Sequence, residues 1–336
     1  MALKPPTEVP QGAIRLNTDS QKLEFYAQDR WHEIMTDCPV LDTGGNRGIY
    51  GGGHVPSPKE SIGYFEIQTQ GNSIDFGDLS QGRHMHGVGS SRTRAIWGGG
   101  GTPSKVSTID YVTISSTGNA ISFGSRTEST AEMDGLSNRT RALFAGGYSS
   151  GGNPGGYHNR IDYVTIATTG NAIDFGDLVG KRAYSLGNGG VTDGIRGWFM
   201  PGQRPDVTDQ MIEVVNIAST GNAVDFGDRV TITGQCTWLF NRTTALGGSG
   251  GTTIAKWNMA SGGDGTFFGN FSQNMNRSFG CNDSTRGVWG GSTSPSPSSN
   301  IMEYVTIATE SDANDFGDLF QAMEGAAGTS NAHGGL

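Results

Sequence analysis

One short sequence occurs six times along this chain, and this repeat constrains the fold more than any single residue does. Each copy runs roughly Arg-(Ala/Gly)-apolar-aromatic-x-Gly-Gly, then a variable loop, Ile-Asp-Tyr-Val-Thr-Ile and Thr-Gly-Asn-Ala-Ile-Asp-Phe-Gly-Asp. The phenylalanines of the Phe-Gly pairs are 47, 52, 51, 42 and 48 residues apart, at Phe76, Phe123, Phe175, Phe226, Phe268 and Phe316. A period of this length indicates repeated supersecondary units.

The second copy shows how we expect one unit to fold. Residues 94–97 are a short apolar strand that ends at three glycines, and 109–114 are a strand of alternating β-branched and aromatic residues. Thr117-Gly118-Asn119 is a hairpin turn, because Gly and Asn tolerate positive φ, and residues 120–123 form the return strand. A fourth short strand closes the unit near Ser137.

Four antiparallel strands in a unit of this length are typical of one propeller blade, and kelch repeats have about 50 residues. We therefore predict an all-β chain with a six-bladed kelch-like β-propeller at 43–336 and a short N-terminal β arm at 1–42. A solenoid is the alternative, but it normally needs atypical capping repeats. The chain end, 330–336, resembles 137–143, so its strand would sit beside blade one, close the ring and hide two sheet edges.

The repeat also predicts the core. We expect the aromatic residues before the glycines to pack between blades rather than to stack on sugars, together with the phenylalanine of each Phe-Gly pair. These aromatic residues are Tyr50, Trp97, Phe144, Phe199 and Trp289. The fifth copy is degenerate, with Thr243-Thr244 in place of Arg-Ala and Phe267 in place of aspartate, so we expect a blade with altered edges.

Composition excludes several classes of function. The net charge is −9 and no Lys/Arg cluster is present, which argues against nucleic-acid binding. No apolar run reaches 18 residues and the N-terminus has no apolar signal core, so we expect neither membrane insertion nor secretion. The three cysteines, Cys38, Cys236 and Cys281, lie outside metal-type spacing and are expected to be free thiols.

The first 42 residues lie outside the repeat. Residues 9–26 indicate two strands across an Asn-Thr-Asp-Ser-Gln turn, and 30–34 a third. A segment this small cannot form an independent core, so it should pack on its own propeller, on sister chains or on another protein. The candidate attachment residues are Ile14, Leu16, Leu23, Phe25 and Trp31.

The stretch from Gly12 to Tyr26, followed by Trp31, resembles a short β-element of tail-fibre and other virion proteins of tailed bacteriophages. The blades, for example residues 161–178, resemble Gly-rich kelch-like repeats in structural proteins of marine phages, cyanophages among them. The resemblance implies a virion protein, made in the host cytoplasm, whose arm sits in a multimeric attachment region and contacts other virion proteins. It also implies that the distal domain faces outward. The chain lacks a long fibrous shaft, which leaves its position on the particle open.

Few motifs point to chemistry. Four Asp-Phe-Gly copies lack every other kinase element, and no Gly-x-Ser-x-Gly elbow is present, so we predict no enzyme and no cofactor. Asp-Phe-Gly-Asp could bind calcium, although neighbouring residues on a strand face opposite ways. His84 and His86 have the spacing that places two rings on one strand face, where a metal could bridge them, but no third ligand can be named. We expect them to be exposed polar residues near a loop and predict no metal site. Asn138-Arg-Thr and Asn241-Arg-Thr match the glycosylation pattern by chance.

Binding is expected in the loops that follow each Gly-Gly, because these differ most between copies. The candidate binding residues are Tyr148, Tyr157, His158 and Arg204. The leading hypothesis is a non-enzymatic tail or tail-fibre component, homo-oligomeric on the particle, that displays a propeller to a host-surface glycan or protein. The alternatives are a capsid-decorating or tail-assembly protein without receptor binding, an intracellular kelch-type scaffold, and a propeller glycan hydrolase or lyase.

Overall fold

The computed structural model describes residues 9–17, 22–33, 45–149, 156–183, 190–201, 211–228, 237–248, 251–261, 265–296 and 298–332. The chain divides into two compact units, Met1–Asp42 and Thr43–Leu336, which we call the arm and the body. Within the described ranges both units consist of strands, turns and irregular segments, without a helix. The predicted all-β class is therefore confirmed.

The arm contains one antiparallel sheet of three strands in the order β1-β2-β3: β1 (Ile14–Asn17), β2 (Lys22–Ala27) and β3 (Arg30–Glu33). The register places Leu16 opposite Leu23 and Phe25 opposite His32. Because side chains alternate along a strand, these residues share one face of the sheet.

The described part of the body forms six antiparallel sheets of four strands, a propeller-like arrangement. Sheet one contains β4 (Arg47–Gly51), β5 (Ser61–Glu66) and β6 (Ile74–Asp78). Sheet two contains β7 (Gly87–Ser90), β8 (Arg94–Gly98), β9 (Thr108–Thr113) and β10 (Ile121–Ser125). Sheet three contains β11 (Asp134–Ser137), β12 (Arg141–Ala145), β13 (His158–Thr165) and β14 (Ile173–Arg182).

Sheet four contains β15 (Gly190–Thr192), β16 (Arg196–Phe199), β17 (Met211–Asn216) and β18 (Val224–Asp228). Sheet five contains β19 (Trp238–Phe240), β20 (Thr244–Gly248), β21 (Thr253–Asn258) and β22 (Thr266–Asn270). Sheet six contains β23 (Phe279–Asn282), β24 (Arg286–Ser292), β25 (Ser299–Thr306) and β26 (Asn314–Asp318). The last strand, β27 (Ala327–Ser330), is the fourth strand of sheet one.

The sheets are offset by one strand from the sequence repeat. Our assignment of the short strand near Ser137 to the unit that precedes it is wrong, because β11 pairs with β12 across a three-residue turn. A tight turn joins hairpin partners, whereas the longer 126–133 segment carries the chain from sheet two to sheet three. The same offset leaves β4 to pair with β27, from Ala327 opposite Gly51 to Ser330 opposite Gly48.

The core lies between neighbouring sheets. The five aromatic residues that the repeat predicts as core, Tyr50, Trp97, Phe144, Phe199 and Trp289, are at most 1% exposed. Trp97 of sheet two packs in one cluster with Ile49 and Phe76 of sheet one. The expectation that these side chains pack between sheets is confirmed.

A polar contact that we did not predict joins the outer edges of the sheets. The Thr-Gly-Asn segment of one sheet donates backbone N–H groups to the Phe-Gly-Asp strand of the preceding sheet, as from Gly118 to Phe76 O (2.8 Å). The Asn119 side-chain oxygen accepts a hydrogen bond from Asp78 N at 3.1 Å. We call the junction between two neighbouring sheets a seam, and an asparagine or aspartate makes the same contact at four other seams. We call this contact the clasp. It accounts for Gly77, since a Cβ there would lie 2.5 Å from the Gly118 carbonyl.

Buried ion pairs join three of the seams. Arg83 lies 2.7 Å from Asp110, Arg126 lies 3.1 Å from Asp162 and Arg182 lies 3.6 Å from Glu213. All six side chains are almost completely buried. Asp110, Asp162 and Glu213, which occupy equivalent positions in the repeat, are therefore structural partners of buried arginines.

The first strands of the sheets contact one another in sequence order, and β27 contacts both β23 and β7. Hydroxyl and amide side chains near the ends of these strands donate to carbonyls of the neighbouring first strand: Ser137 to Ser90 O, Ser90 to Ser330 O, Ser330 to Asn282 O and Asn282 to Phe240 O. The space that these strands enclose measures only about 30 Å³. It is too narrow for a ligand larger than a few water molecules.

Candidate functional site

Four residues with left-handed backbone conformation define the site, and each lies two positions before the first strand of a sheet. Met85, Glu132, Arg277 and Gly325 have φ between 54° and 63°. Their backbones form a chain, with N–H···O distances of 2.7 Å from Glu132 to Met85, 2.9 Å from Met85 to Gly325 and 2.8 Å from Gly325 to Arg277. A left-handed conformation at non-glycine residues is uncommon and marks positions that the surrounding structure determines. Here it brings side chains from different sheets together.

These side chains and side chains of the loops that follow the second strands form a polar group at one end of the strands. We call this group the mouth cluster. Its members are His54, His84, Lys105, Glu132, Tyr148, Tyr157, Arg277 and Glu324. Arg277 lies 3.3 Å from Glu324 Oε1, which is also 3.8 Å from His54 Nδ1. Lys105 Nζ lies 3.9 Å from Glu132 Oε1. The cluster therefore combines both signs of charge.

Burial controls the protonation of the cluster. It raises the pKa of Glu132, which Lys105 and Arg277 partly offset, and the buried Oε2 of Glu132 has no hydrogen-bond partner. Burial, with the nearby His54 and Lys105, lowers the pKa of His84 to about 4. The His84 ring is therefore neutral at neutral pH, and the His54 and His84 ring centroids lie 5.0 Å apart.

The two tyrosines predicted from the sequence lie together beside Glu132 of the cluster. The Tyr148 and Tyr157 rings meet edge to face with centroids 5.5 Å apart, and Lys105 Nζ lies 5.7 Å from the Tyr148 ring. Tyr148 and Ala131, the neighbour of Glu132, exchange two backbone hydrogen bonds of 2.7 and 3.1 Å. Burial and the Glu132 charge raise the pKa of Tyr157. Tyrosine rings next to charged groups suit a ligand with apolar faces and polar edges.

The other two predicted binding residues have different positions. His158 lies 2.8 Å from Ser149 Oγ in the preceding loop and 2.5 Å from Glu128 Oε2 in the segment that connects sheets two and three. Arg204 lies outside the described residues. Sequence reasoning missed Glu132, Arg277 and Glu324, because they do not lie in the variable loops. Glu132 and Arg277 are themselves left-handed, and Glu324 precedes the left-handed Gly325.

His84 and His86 do not share a strand face, and the expectation that both are exposed is wrong for His86. His86 is fully buried, and burial lowers its pKa well below the usual range, whereas His84 faces His54 near the surface. The left-handed Met85 between them breaks the alternation that would align the rings. In the described part of the chain, no group of three or more His, Cys, Asp or Glu side chains is arranged to hold a metal ion.

The arm residues proposed for attachment divide between two faces. Ile14, Leu16, Leu23 and Phe25 lie on one face and are 66%, 59%, 40% and 37% exposed. Trp31 lies on the other face, where it contacts the Tyr26 ring and the Arg15 guanidinium (4.1 Å from the indole centroid). Arg15 also pairs with Glu24 at 2.7 Å, and hydrogen bonds from Asn17 and Arg15 lower the pKa of Glu24. On one face of the arm the side chains of Arg15, Glu24 and Trp31 contact one another, whereas the other face is apolar and exposed.

No protein-family model matches the sequence, and no curated protein matches it. Among the described residues, no helical segment has the length and hydropathy to cross a membrane.

Proposed function

We propose that this chain is a non-enzymatic structural protein of a tailed-phage virion, with an arm that assembles on the particle and a body that presents the mouth cluster to a host-surface ligand. The exposed apolar face of the arm carries the proposal. Four large apolar side chains on a three-stranded sheet cannot be buried within that sheet, so the face needs a partner surface. The resemblance of this segment to virion β-elements supports a partner on the particle.

We further propose that the body is a closed, six-bladed, kelch-like propeller. The pairing of β27 with β4 supports closure, as does the clasp between Asn72 and Asp318 N at 3.0 Å, which joins sheets six and one. Such a rigid ring would hold loops from several sheets in fixed relative positions. The left-handed residues and paired tyrosines of the mouth cluster support a recognition surface on these loops.

Light scattering tests the arm. The variant Leu16→Ser/Phe25→Ser removes two side chains from the exposed face, and Ile121→Ser/Ile173→Ser removes two similarly exposed residues from the body. We expect the intact chain to be an oligomer, the arm variant to be a monomer and the body variant to match the intact chain. A monomeric intact chain, or equal masses for all three proteins, would contradict self-assembly through this face.

Particle association tests the larger claim. Virions assembled with the arm variant should lack the chain, whereas virions assembled with the body variant should carry it. Tyr148→Ala/Tyr157→Ala should leave incorporation intact and reduce attachment to host cells, which separates a receptor-binding protein from a decorating or assembly protein. If attachment is unchanged, the receptor-binding part of the proposal fails.

A further inference from the structure

A second surface lies at the opposite end of the strands from the mouth cluster. There, short turns join the first and second strands of each sheet, and a hollow of about 410 Å³ opens between the turns of sheets three, four and five. Its lining residues are Asn138, Arg139, Thr140, Asp193, Gly194, Ile195 and Arg242. Its volume falls within the range of about 300–1,000 Å³ that small-molecule sites occupy.

The floor of the hollow is rigid. Asn138 Oδ1 accepts from Thr140 N at 2.9 Å and from Arg141 N at 2.8 Å, and its amide donates to Gly194 O at 3.3 Å. The last bond ties the turn of sheet three to the turn of sheet four. In the sheet-four turn, Asp193 Oδ1 accepts from Ile195 N at 3.0 Å. The Asn138 side chain that matches the glycosylation pattern is thus a structural cap, and the hollow exists before any ligand arrives.

The charge of the hollow is positive in an acidic protein. Arg139 and Arg242 are exposed members of the lining. Among the described lining residues the carboxylate is that of Asp193, which Arg196 contacts at 3.0 Å. Arg92, on the equivalent turn of sheet two, has its pKa lowered by burial and by the Arg139 charge, so positive charge accumulates along these turns. The whole chain carries −9, which makes this surface an exception.

We propose that the hollow binds an acidic saccharide, with the Arg139 and Arg242 guanidinium groups on its carboxylate or sulfate groups. Guanidinium pairs with planar or tetrahedral oxyanions through two parallel hydrogen bonds. Ile195, 66% exposed, offers an aliphatic surface for the C–H face of a sugar ring. A nucleic acid fits less well, because the net negative charge of the chain would repel an extended polyanion. The inference rests on the proposed function only in taking a surface glycan as the natural source of the saccharide.

Isothermal titration with purified full-length chain tests this site without virus particles. The probes are tetragalacturonate, which carries carboxylates, a chondroitin sulfate tetrasaccharide, which adds sulfates, and neutral maltotetraose. We expect binding of one or both acidic probes at low ionic strength, weaker binding as salt rises and none of the neutral probe. The two acidic probes distinguish the carboxylate from the sulfate as the recognised group.

Variants then locate the binding. Arg139→Gln/Arg242→Gln should weaken acidic-probe binding by about tenfold or more, because two charge-assisted contacts are lost. Arg139→Lys/Arg242→Lys should bind with intermediate affinity, since it keeps the charge and loses the paired geometry. The control Arg30→Gln/Lys256→Gln removes the same charge elsewhere and should bind like the unmodified chain.

Several outcomes would overturn the assignment. They are no binding of either acidic probe, equal affinity for maltotetraose, unchanged affinity in Arg139→Gln/Arg242→Gln, or full affinity in the lysine variant. Binding of a single-stranded oligonucleotide as tight as that of the acidic saccharides would show a general polyanion surface and would also overturn it. If Tyr148→Ala/Tyr157→Ala leaves host attachment unchanged while this titration shows acidic-probe binding, the receptor-binding part of the proposed function fails and the assignment of the hollow stands.

Discussion

The seam between sheets six and one and the seam between sheets four and five have the same strand order but different contacts. At the first, Gly71 and Ser73 donate to Phe316 O and Asp318 O, each at 2.9 Å, and Phe316 is 2% exposed. At the second, Phe226 is only partly buried, and residues 262–264, which occupy the positions of the Thr-Gly-Asn segment, lie outside the described residues. The two seams therefore differ in how completely the phenylalanine of the Phe-Gly pair is buried.

Two tryptophans pack at the seam between sheets four and five. Trp257 occupies the position of a valine in sheets two, three, four and six, and Gly265 makes room for it, since a Cβ there would lie 2.3 Å from the indole. Trp198, Trp257 and Phe226 line a cavity of about 20 Å³, and the buried indole N–H groups of both tryptophans have no hydrogen-bond partner. The comparison teaches that one strand order accommodates different aromatic packing between sheets.

The largest expected effect concerns the ion pairs that only some seams contain. Asp110→Asn should destabilise the body by about 3–5 kcal/mol, because it leaves the buried Arg83 guanidinium without its counter-charge. Glu303 occupies the equivalent position at the seam between sheets five and six, where Ser272 rather than an arginine contacts it. Glu303→Gln should therefore be neutral or stabilising at pH 7. Equal losses of unfolding free energy for the two variants, measured by urea unfolding, would contradict this interpretation.

The next effect tests the clasp directly. Gly317 and Gly118 have φ values of 142° and 152°, so an alanine suffers similar backbone strain at either position. A Cβ on Gly118 would meet nothing within 4 Å, whereas at Gly317 the new Cβ would lie 2.5 Å from the Gly71 carbonyl oxygen. Gly317→Ala should cost about 1–3 kcal/mol more than Gly118→Ala in the free energy of unfolding. If the two losses are the same, the close approach at the clasp does not contribute to stability.

A smaller effect separates paired from unpaired indoles. The Trp97 indole donates to Ala327 O at 3.0 Å, whereas the Trp257 indole has no partner. Trp97→Phe removes a buried hydrogen bond and Trp257→Phe removes an unsatisfied donor, so Trp97→Phe should cost about 1 kcal/mol more. Thermal unfolding of both variants measures the difference. A greater loss for Trp257→Phe would indicate that the cavity holds a partner for the indole, such as a bound water.

The smallest effect is a dependence on pH. Burial raises the pKa of Glu303, while hydrogen bonds from Ser272 partly offset this. Between the unfolded value of 4.5 and the raised folded value, the folded state binds more protons, so stability falls as pH rises. The intact chain should therefore gain stability relative to Glu303→Gln as pH falls from 7 toward 4.5. A difference in unfolding free energy that does not change with pH would contradict the raised pKa.

Sequence reasoning reached the strands more reliably than the contacts between sheets. Alternation in Ile-Asp-Tyr-Val-Thr-Ile predicted β9 and its equivalents, because period two is a local property. The clasp was missed, because Thr-Gly-Asn also has the composition of an ordinary hairpin turn. Within the mouth cluster, Tyr148 and Tyr157 were predicted from loop variability. Glu132 and Arg277 were not predicted, because no local pattern indicates a left-handed φ at a glutamate or an arginine.

By itself, the sequence determined the all-β class, the succession of short strands, the buried aromatic positions and the small apolar arm. These follow from periodicity, glycine placement and the number of apolar residues, which are properties of short stretches of chain. Tertiary structure alone decided which strand joins which sheet, which carboxylates meet arginines and which charged groups meet at the mouth and in the hollow. Those contacts join residues tens to hundreds of positions apart, and they depend on how each sheet packs against the next.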